Sequence, residues 1–266
     1  LSCVVLKFGG TSVSSGRSWQ SIQQILLDAL QVEKTRLLVV CSAPAGVSNL
    51  LENLLTSAII GEYHGKMQEI QSVFRSLSDA LGVDYDAICS NEIRGLSRLI
   101  EGVALIGEMT PRVQASVMAY GEVLLTRIGA AYLQASGLSV LWQDTRDYLE
   151  VEEKVTGLAD KRQAHYLESV CKAGRSPVLI KKVSALTADI IIMPGFIARN
   201  AQKETVLLGR GGSDSTAAYL AGNLGALRCE IWTDVPGIYT ANPHQIPQAR
   251  LLKHLDYDEA QEIASM

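Results

Sequence analysis

Apolar residues along this chain fall into two rhythms, short unbroken runs and three-to-four-residue spacings, and the two alternate. Val4-Val5-Leu6-Lys7-Phe8 is a run suited to a buried strand. Trp19, Ile22, Ile25, Leu26 and Leu30 then recur at helical spacing behind Ser18, the expected N-cap. A second run, Leu37 to Cys41, opens through the small-residue loop Ser42–Asn49 into a helix around Leu50 to Ile60. Strand, helix, strand, loop and helix in that order predict parallel strands with ligand groups at their carboxyl ends. From 61 to 110 the spacing predicts two helices, a lobe added to the sheet whose charges form a solvated face. Residues Arg112 to Ser136 form the longest helical pattern, closed by Gly137. Strands are expected at Leu138–Trp142, Pro177–Ile180, Ile190–Met193, Thr205–Leu208 and Cys229–Trp232, and a helix from about Ser215 to Asn223.

Two strand ends carry candidate chemistry. After the first come Gly9, Gly10, Thr11 and Ser12, with Lys7 at the junction. Glycines remove side chains that would block approach to the backbone, so main-chain N–H groups there suit phosphate oxygens, and Lys7 adds a mobile positive charge. The lysine precedes the glycines, so this is not the G-x-x-x-x-G-K-[ST] loop. A glycine turn beside a solvated lysine explains the same residues. After Leu208 come Gly209-Arg210-Gly211-Gly212-Ser213-Asp214, a second anion site at a helix start, where Arg210 suits a carboxylate. Here the alternative is a glycine hairpin with Ser213 or Asp214 as helix cap. Glu122 sits among Val117, Met118, Val123 and Leu124. A buried carboxylate needs a cation, so Glu122 either meets one or reaches the surface, and the pattern alone favours the surface. Asp234 and Tyr239, in the turn after Trp232, suit the border of a nucleotide, although a Pro-Gly turn needs no ligand.

Composition narrows the classes. With 266 residues, 47% of them hydrophobic, the chain can bury a sizeable core. A net charge of −4 argues against nucleic acid or an anionic membrane as partner. No run of 18 apolar residues occurs and no signal layout opens the chain, so a cytoplasmic location is expected. Five scattered cysteines fit buried free thiols, and neither they nor the four histidines have metal-ligand spacing, so no protein metal site is expected.

Taken in order, K-F-G-G-T-S, S-A-P-A-G-V-S-N, Y-G-E, G-R-G-G-S-D and W-T-D-V-P-G-I-Y-T resemble the aspartate kinases of the amino acid kinase family, across essentially the whole chain. The resemblance implies a three-layer α/β/α sandwich around a mainly parallel sheet. It also implies transfer of the ATP γ-phosphoryl group, with Mg²⁺, to the β-carboxylate of L-aspartate, the first step toward lysine, threonine, methionine and diaminopimelate. Carried over by position, Lys7 would neutralise the migrating phosphoryl group, the Gly9 and Gly10 amides would lie against the phosphates, and Asp214 would orient the lysine. Ser48, Glu122, Arg210 and Ser213 would bind aspartate, Arg210 on its α-carboxylate and Glu122 near its α-ammonium. Ser42 would border the transfer site, and Thr233, Asp234 and Tyr239 would hold the nucleotide. A homo-oligomeric full-length protein is implied, in some relatives fused to homoserine dehydrogenase or diaminopimelate decarboxylase. The alternative from another class is a non-catalytic nucleotide- or amino-acid-binding module of the same fold.

The chain departs from the family pattern at Asn242-Pro243-His244, where a D-P-R triplet is expected. It opens on Leu1, and its final residues lack a C-cap glycine, so the polypeptide is expected to continue. By the resemblance, the family's F-G-A-K-V-L-H-P segment, with its second phosphate-binding lysine, and its regulatory ACT domains would fall beyond Met266. A kinase domain spanning 1–266 and ending there is expected to fold but to be catalytically impaired.

Overall fold

The protein is described here by a computed structural model covering residues 2–152, 165–242 and 245–265. The chain forms two compact units, Leu1–Trp232 and Thr233–Met266. Described strands of the first unit are β1 (Cys3–Phe8), β2 (Arg36–Cys41), β3 (Val140–Trp142), β4 (Ile190–Pro194), β5 (Ile197–Arg199), β6 (Thr205–Leu207) and β7 (Arg228–Trp232). Five make one sheet in the order β3-β4-β2-β1-β7, every neighbour parallel, while β5 and β6 pair antiparallel on their own.

Strand alternation splits the core in two. Val4, Leu6 and Phe8 of β1 join Leu37, Val39, Cys41, Ile190 and Ile192 in one cluster; Cys3 and Val5 join Leu38, Val40, Ile191 and Met193 in the other. The first cluster takes the apolar stripes of α1 (Gly16–Glu33), α2 (Val47–Ile59), α3 (His64–Leu81), α4 (Tyr85–Ile106), α5 (Pro111–Met118) and α6 (Tyr120–Ala135). The second takes α7 (Pro177–Ser184) and α8 (Gly212–Leu224). Helices on both faces of a parallel sheet make the expected three-layer α/β/α sandwich, and both faces buried explain why the strands read as unbroken apolar runs. The helices of the expected lobe, α3 and α4, share the first cluster with α1, α2 and α6. Lys7 falls in the parity of Cys3 and Val5, so it projects from the carboxyl end of β1 toward α8.

Four expectations need correction. Ser15, not Ser18, caps α1: its side chain accepts from the Ser18 N–H three residues on, so Ser18 lies inside the first turn as the capped donor. The pattern from Arg112 to Ser136 is two helices, with Ala119 at the joint, and α4, with 22 residues, is the longest described helix. Apolar spacing continues through that joint because α5 and α6 bury their stripes in one cluster, so periodicity does not register it. Pro177–Ile180 is the start of α7 and not a strand. Ser176 caps it by accepting from Leu179 N–H, Pro177 sits where no N–H is needed, and Leu179 and Val183 bury one helical face. Of the cysteines, Cys3, Cys41 and Cys89 are buried, but Cys171 is half-buried and Cys229 exposed.

Close packing under α6 supplies a test. The Trp19 ring lies where a side chain at position 129 would begin, 1.9 Å from an added Cβ, and the indole N–H is held by Val13 O at 3.0 Å. Gly129→Ala therefore forces α1 and α6 apart. It is expected to destabilise the protein by about 1–3 kcal/mol, the usual range for overpacking, read as a lower thermal midpoint. An unchanged midpoint would mean that α6 docks on α1 less tightly than this.

Candidate active site

The cleft forms where strand ends and helix starts meet. Lys7 is the penultimate residue of β1, Ser42 follows β2, Phe196 follows β4, and Ser48 and Ser213 stand in the first turns of α2 and α8. Together with Ala43, Glu122, Asp214 and the Gly209–Gly212 loop, these line an open cleft of about 360 Å³. Both helices start on a left-handed glycine, Gly46 (φ 84°) and Gly211 (φ 67°), without a side-chain cap. The Val47 and Gly212 N–H groups close turns onto Pro44 O and Gly209 O, which leaves the next first-turn N–H groups and the positive dipole ends for an anion in the cleft. Ser213 and Asp214 are not caps, and the helix-cap alternative falls.

Close backbone approach shapes the cleft. An added Cβ at Gly195 would lie 2.6 Å from Ser213 Oγ, and one at Gly212 would lie 2.6 Å from the Phe196 ring. Glycine at both positions lets the turn after β4 touch the start of α8. Phe196 itself takes a left-handed φ of 69°, held by its N–H to Thr216 Oγ1 (3.1 Å) and by Leu208 N–H to its carbonyl (2.8 Å). A strained non-glycine residue lining a cleft points to function. In the sequence Phe196 stands only just past the end of the expected strand Ile190–Met193, where no pattern gives it a role.

Charge in the cleft is ordered. Lys7 Nζ lies 2.8 Å from Asp214 Oδ1; that oxygen is buried without an aligned hydrogen bond, so the contact is an ion pair. The Lys7 residue is only 8% exposed. The solvated-lysine alternative therefore falls. Arg210 is exposed and makes no ion pair with a described residue, leaving its guanidinium for a ligand. Glu122 is 4% exposed, contrary to the surface position that its sequence context favoured. Its Oε1 accepts the Ala43 N–H at 3.2 Å, but no cation among the described residues pairs with it, and burial pushes its carboxyl up to about 8. Gly121 brings it there, since an added Cβ would meet that of Ala43 at 2.8 Å.

Seven expected residues, Lys7, Ser42, Ser48, Glu122, Arg210, Ser213 and Asp214, thus share one cleft. Gly9 and Gly10 do not line it. The Gly9 N–H is donated to Trp232 O (3.2 Å), extending the ladder to β7, so it does not face a phosphate as expected. Gly10 is required by contact with the next loop: an added Cβ would stand 2.9 Å from Ala43 O, and Gly10 O accepts from Ser14 Oγ at 2.6 Å. Thr233, Asp234 and Tyr239 belong to the second unit. There Thr233 Oγ1 bonds Asp234 Oδ1 at 3.0 Å, and Tyr239 bridges to Leu251. Pro243 and His244 lie outside the described residues.

The model of the amino acid kinase family matches residues 2–266. The chain belongs to that family. Within it, the chain is 32% identical over 269 residues to the bifunctional aspartokinase/homoserine dehydrogenase of Buchnera aphidicola, covering 98% of this chain and 32% of that protein. It is also 32% identical to lysine-sensitive aspartokinase 3 of Escherichia coli, covering 98% of this chain and 56% of that protein. A crystal structure of E. coli aspartokinase III in complex with aspartate and ADP superposes with a TM-score of 0.82 at 29% identity, over 99% of this chain and 56% of that one. The chain thus spans about a third to just over half the length of these relatives.

Proposed function

We propose that this amino acid kinase domain is an aspartate kinase, transferring the ATP γ-phosphoryl group to the β-carboxylate of L-aspartate to give 4-phospho-L-aspartate. The observation that carries the reading is the buried, cation-free Glu122 carboxylate in the cleft that holds Lys7 and Arg210. A ligand with an ammonium group for Glu122 and a carboxylate for Arg210 is an α-amino acid, and the similar structure in complex with aspartate and ADP supports aspartate as that amino acid. Ser48 and Ser213 would hydrogen-bond the amino acid, and Ser42 would border the transferred group. Thr233, Asp234 and Tyr239 would hold the nucleotide.

Phosphoryl transfer asks for an aligned acceptor and positive charge on the migrating oxygens. Lys7, kept in place by Asp214, and the open N-termini of α2 and α8 supply that charge. The acceptor carboxylate is ionised near neutral pH and needs no general base. Among the described residues no cluster of three acidic, histidine or cysteine side chains is placed for a metal. Mg²⁺ would be carried by nucleotide oxygens and water, where it would neutralise phosphate charge. The proposal includes a role in lysine, threonine, methionine or diaminopimelate synthesis, a cytoplasmic homo-oligomer, and no nucleic-acid or membrane partner. Among the described residues no helix is long and apolar enough to cross a membrane.

Hydroxylamine trapping of the acyl phosphate, in this chain and in one carried on to the length of its aspartokinase relatives, tests the reading. Aspartate-dependent product in the longer chain supports it; ATP binding without product in either favours the non-catalytic module. Arg210→Ala should weaken aspartate binding by about 10–150-fold, the worth of charge-assisted hydrogen bonds to an exposed guanidinium. A change under threefold in the titrated affinity would remove Arg210 from the amino-acid site.

A further inference from the structure

Helix α6 has a second face. Tyr120, Val123 and Arg127, at helical spacing, line a separate cavity of about 200 Å³, closed by Asn91 and Glu92 of α4 and by Trp142, Asp144 and Arg146. It shares no lining residue with the substrate cleft. Its two arginines differ in one respect. Arg146 is saturated: Nε and Nη2 reach the Asp144 carboxylate at 2.6–3.2 Å and Nη1 reaches Thr205 Oγ1 at 2.9 Å. Arg127 stacks 4.0 Å over the Trp142 ring with Nε 2.7 Å from Glu92 Oε1, yet its buried Nε makes no aligned hydrogen bond and its fork engages no other described residue. Beside it the Tyr120 hydroxyl and the Asn91 amide make no hydrogen bond to a described residue.

We propose that this cavity is a second ligand site, for a small organic carboxylate anchored on Arg127. A guanidinium held 4.0 Å over an indole and tied to Glu92 is pre-set for a planar, bidentate acceptor, and these contacts remove most of the rotamer entropy that binding would otherwise cost. Tyr120 and Asn91 place further donors at the same mouth, and Trp142 gives an apolar wall for the ligand's carbon skeleton. An arginine serving only to clasp α4 to α6 would have its donors engaged, as those of Arg146 are. The volume lies below the ~300 Å³ at which sites for larger ligands begin, so the occupant is small and is not a nucleotide.

The test follows the Trp indole and Arg Nε–H signals in ¹H–¹⁵N NMR spectra while acetate, propionate or glycine is added, with ethylammonium as the cationic control. The carboxylates are expected to shift the Trp142 and Arg127 signals saturably and to leave Trp19 unmoved; ethylammonium shifts neither. Arg127→Gln should abolish the saturable shift and Arg127→Lys, which keeps the charge, should weaken it at least fivefold, whereas Arg210→Gln leaves it intact. Shifts that survive Arg127→Gln, that vanish with Arg210→Gln, or that never saturate at high millimolar carboxylate overturn the proposal. Should Arg127→Gln not fold, Arg127→Lys and the wild-type titration decide the matter.

Discussion

Replacing Lys7 by Met is expected to lower the rate of phosphoryl transfer by about 10²–10³-fold, the usual loss when one preorganised charge is removed from a transition state. The side chain sits at the penultimate position of β1, on the face toward α8, and its residue is 8% exposed. Among the described residues of the sheet no other strand carries a cation at its carboxyl end. Methionine keeps the unbranched stem and fills the same space, so the change is electrostatic. Asp214 loses its partner, but its side chain is 49% exposed and can be rehydrated, so the cost in stability should stay within about 1 kcal/mol. Single-turnover transfer separates the effect from nucleotide binding, which falls far less. A variant retaining more than a tenth of the wild-type rate would remove Lys7 from the reaction.

Glu122→Gln should do two opposed things. Glutamine keeps an acceptor for the Ala43 N–H but removes the charge that burial opposes. The Glu122 carboxyl rises from 4.5 to about 8 on folding, so the folded form holds its proton more tightly than the unfolded form. Stability is therefore complete below about pH 4.5 and is lost as pH rises toward 8. The amide removes that loss. At pH 8 the variant should be more stable by on the order of 4 kcal/mol, at ~1.4 kcal/mol per pH unit over the rise from 4.5 to about 8, with no difference near pH 4. Aspartate binding should meanwhile fall by about 30-fold or more, because a buried charge pair is lost. In the wild type the KM for aspartate should drop between pH 6 and 8 as Glu122 ionises. Equal melting curves at both pH values together with unaltered aspartate affinity would show that Glu122 is neither strained nor a ligand.

Much of this site was legible in the residues. Lys7, Arg210 and Asp214 stand beside glycines at strand ends, where a parallel sheet collects its ligands, and the structure gathers them in one cleft. The strands β1, β2 and β4 were legible because both their faces are buried and the apolar run is unbroken. Short elements were not. Pro177–Ile180 is as apolar as a strand, and only the Ser176 cap and the burial of Val183 make it helical. Glu122 was ambiguous for a physical reason. Local pattern assigns a carboxylate to water, and its burial depends on contact between Gly121 and Ala43, 78 residues apart in the chain. The Gly9 amide was misread because strand pairing to β7, a long-range bond, claims it. Phe196 and the Arg127 cavity carry no short motif at all; they arise from backbone strain and from what three elements leave unfilled.

The measurement that tests the central claim most directly is the number of protons exchanged when L-aspartate binds at pH 7, from calorimetric titrations in buffers of different ionisation heat. A carboxyl held near 8 is mostly protonated before binding, and an ammonium placed against it drives that proton off. The account predicts release of nearly one proton by the wild type, none by Glu122→Gln, and an undiminished count but weaker binding in Arg210→Ala. Aspartate binding with no proton release by the wild type, or the same release from Glu122→Gln, would contradict it.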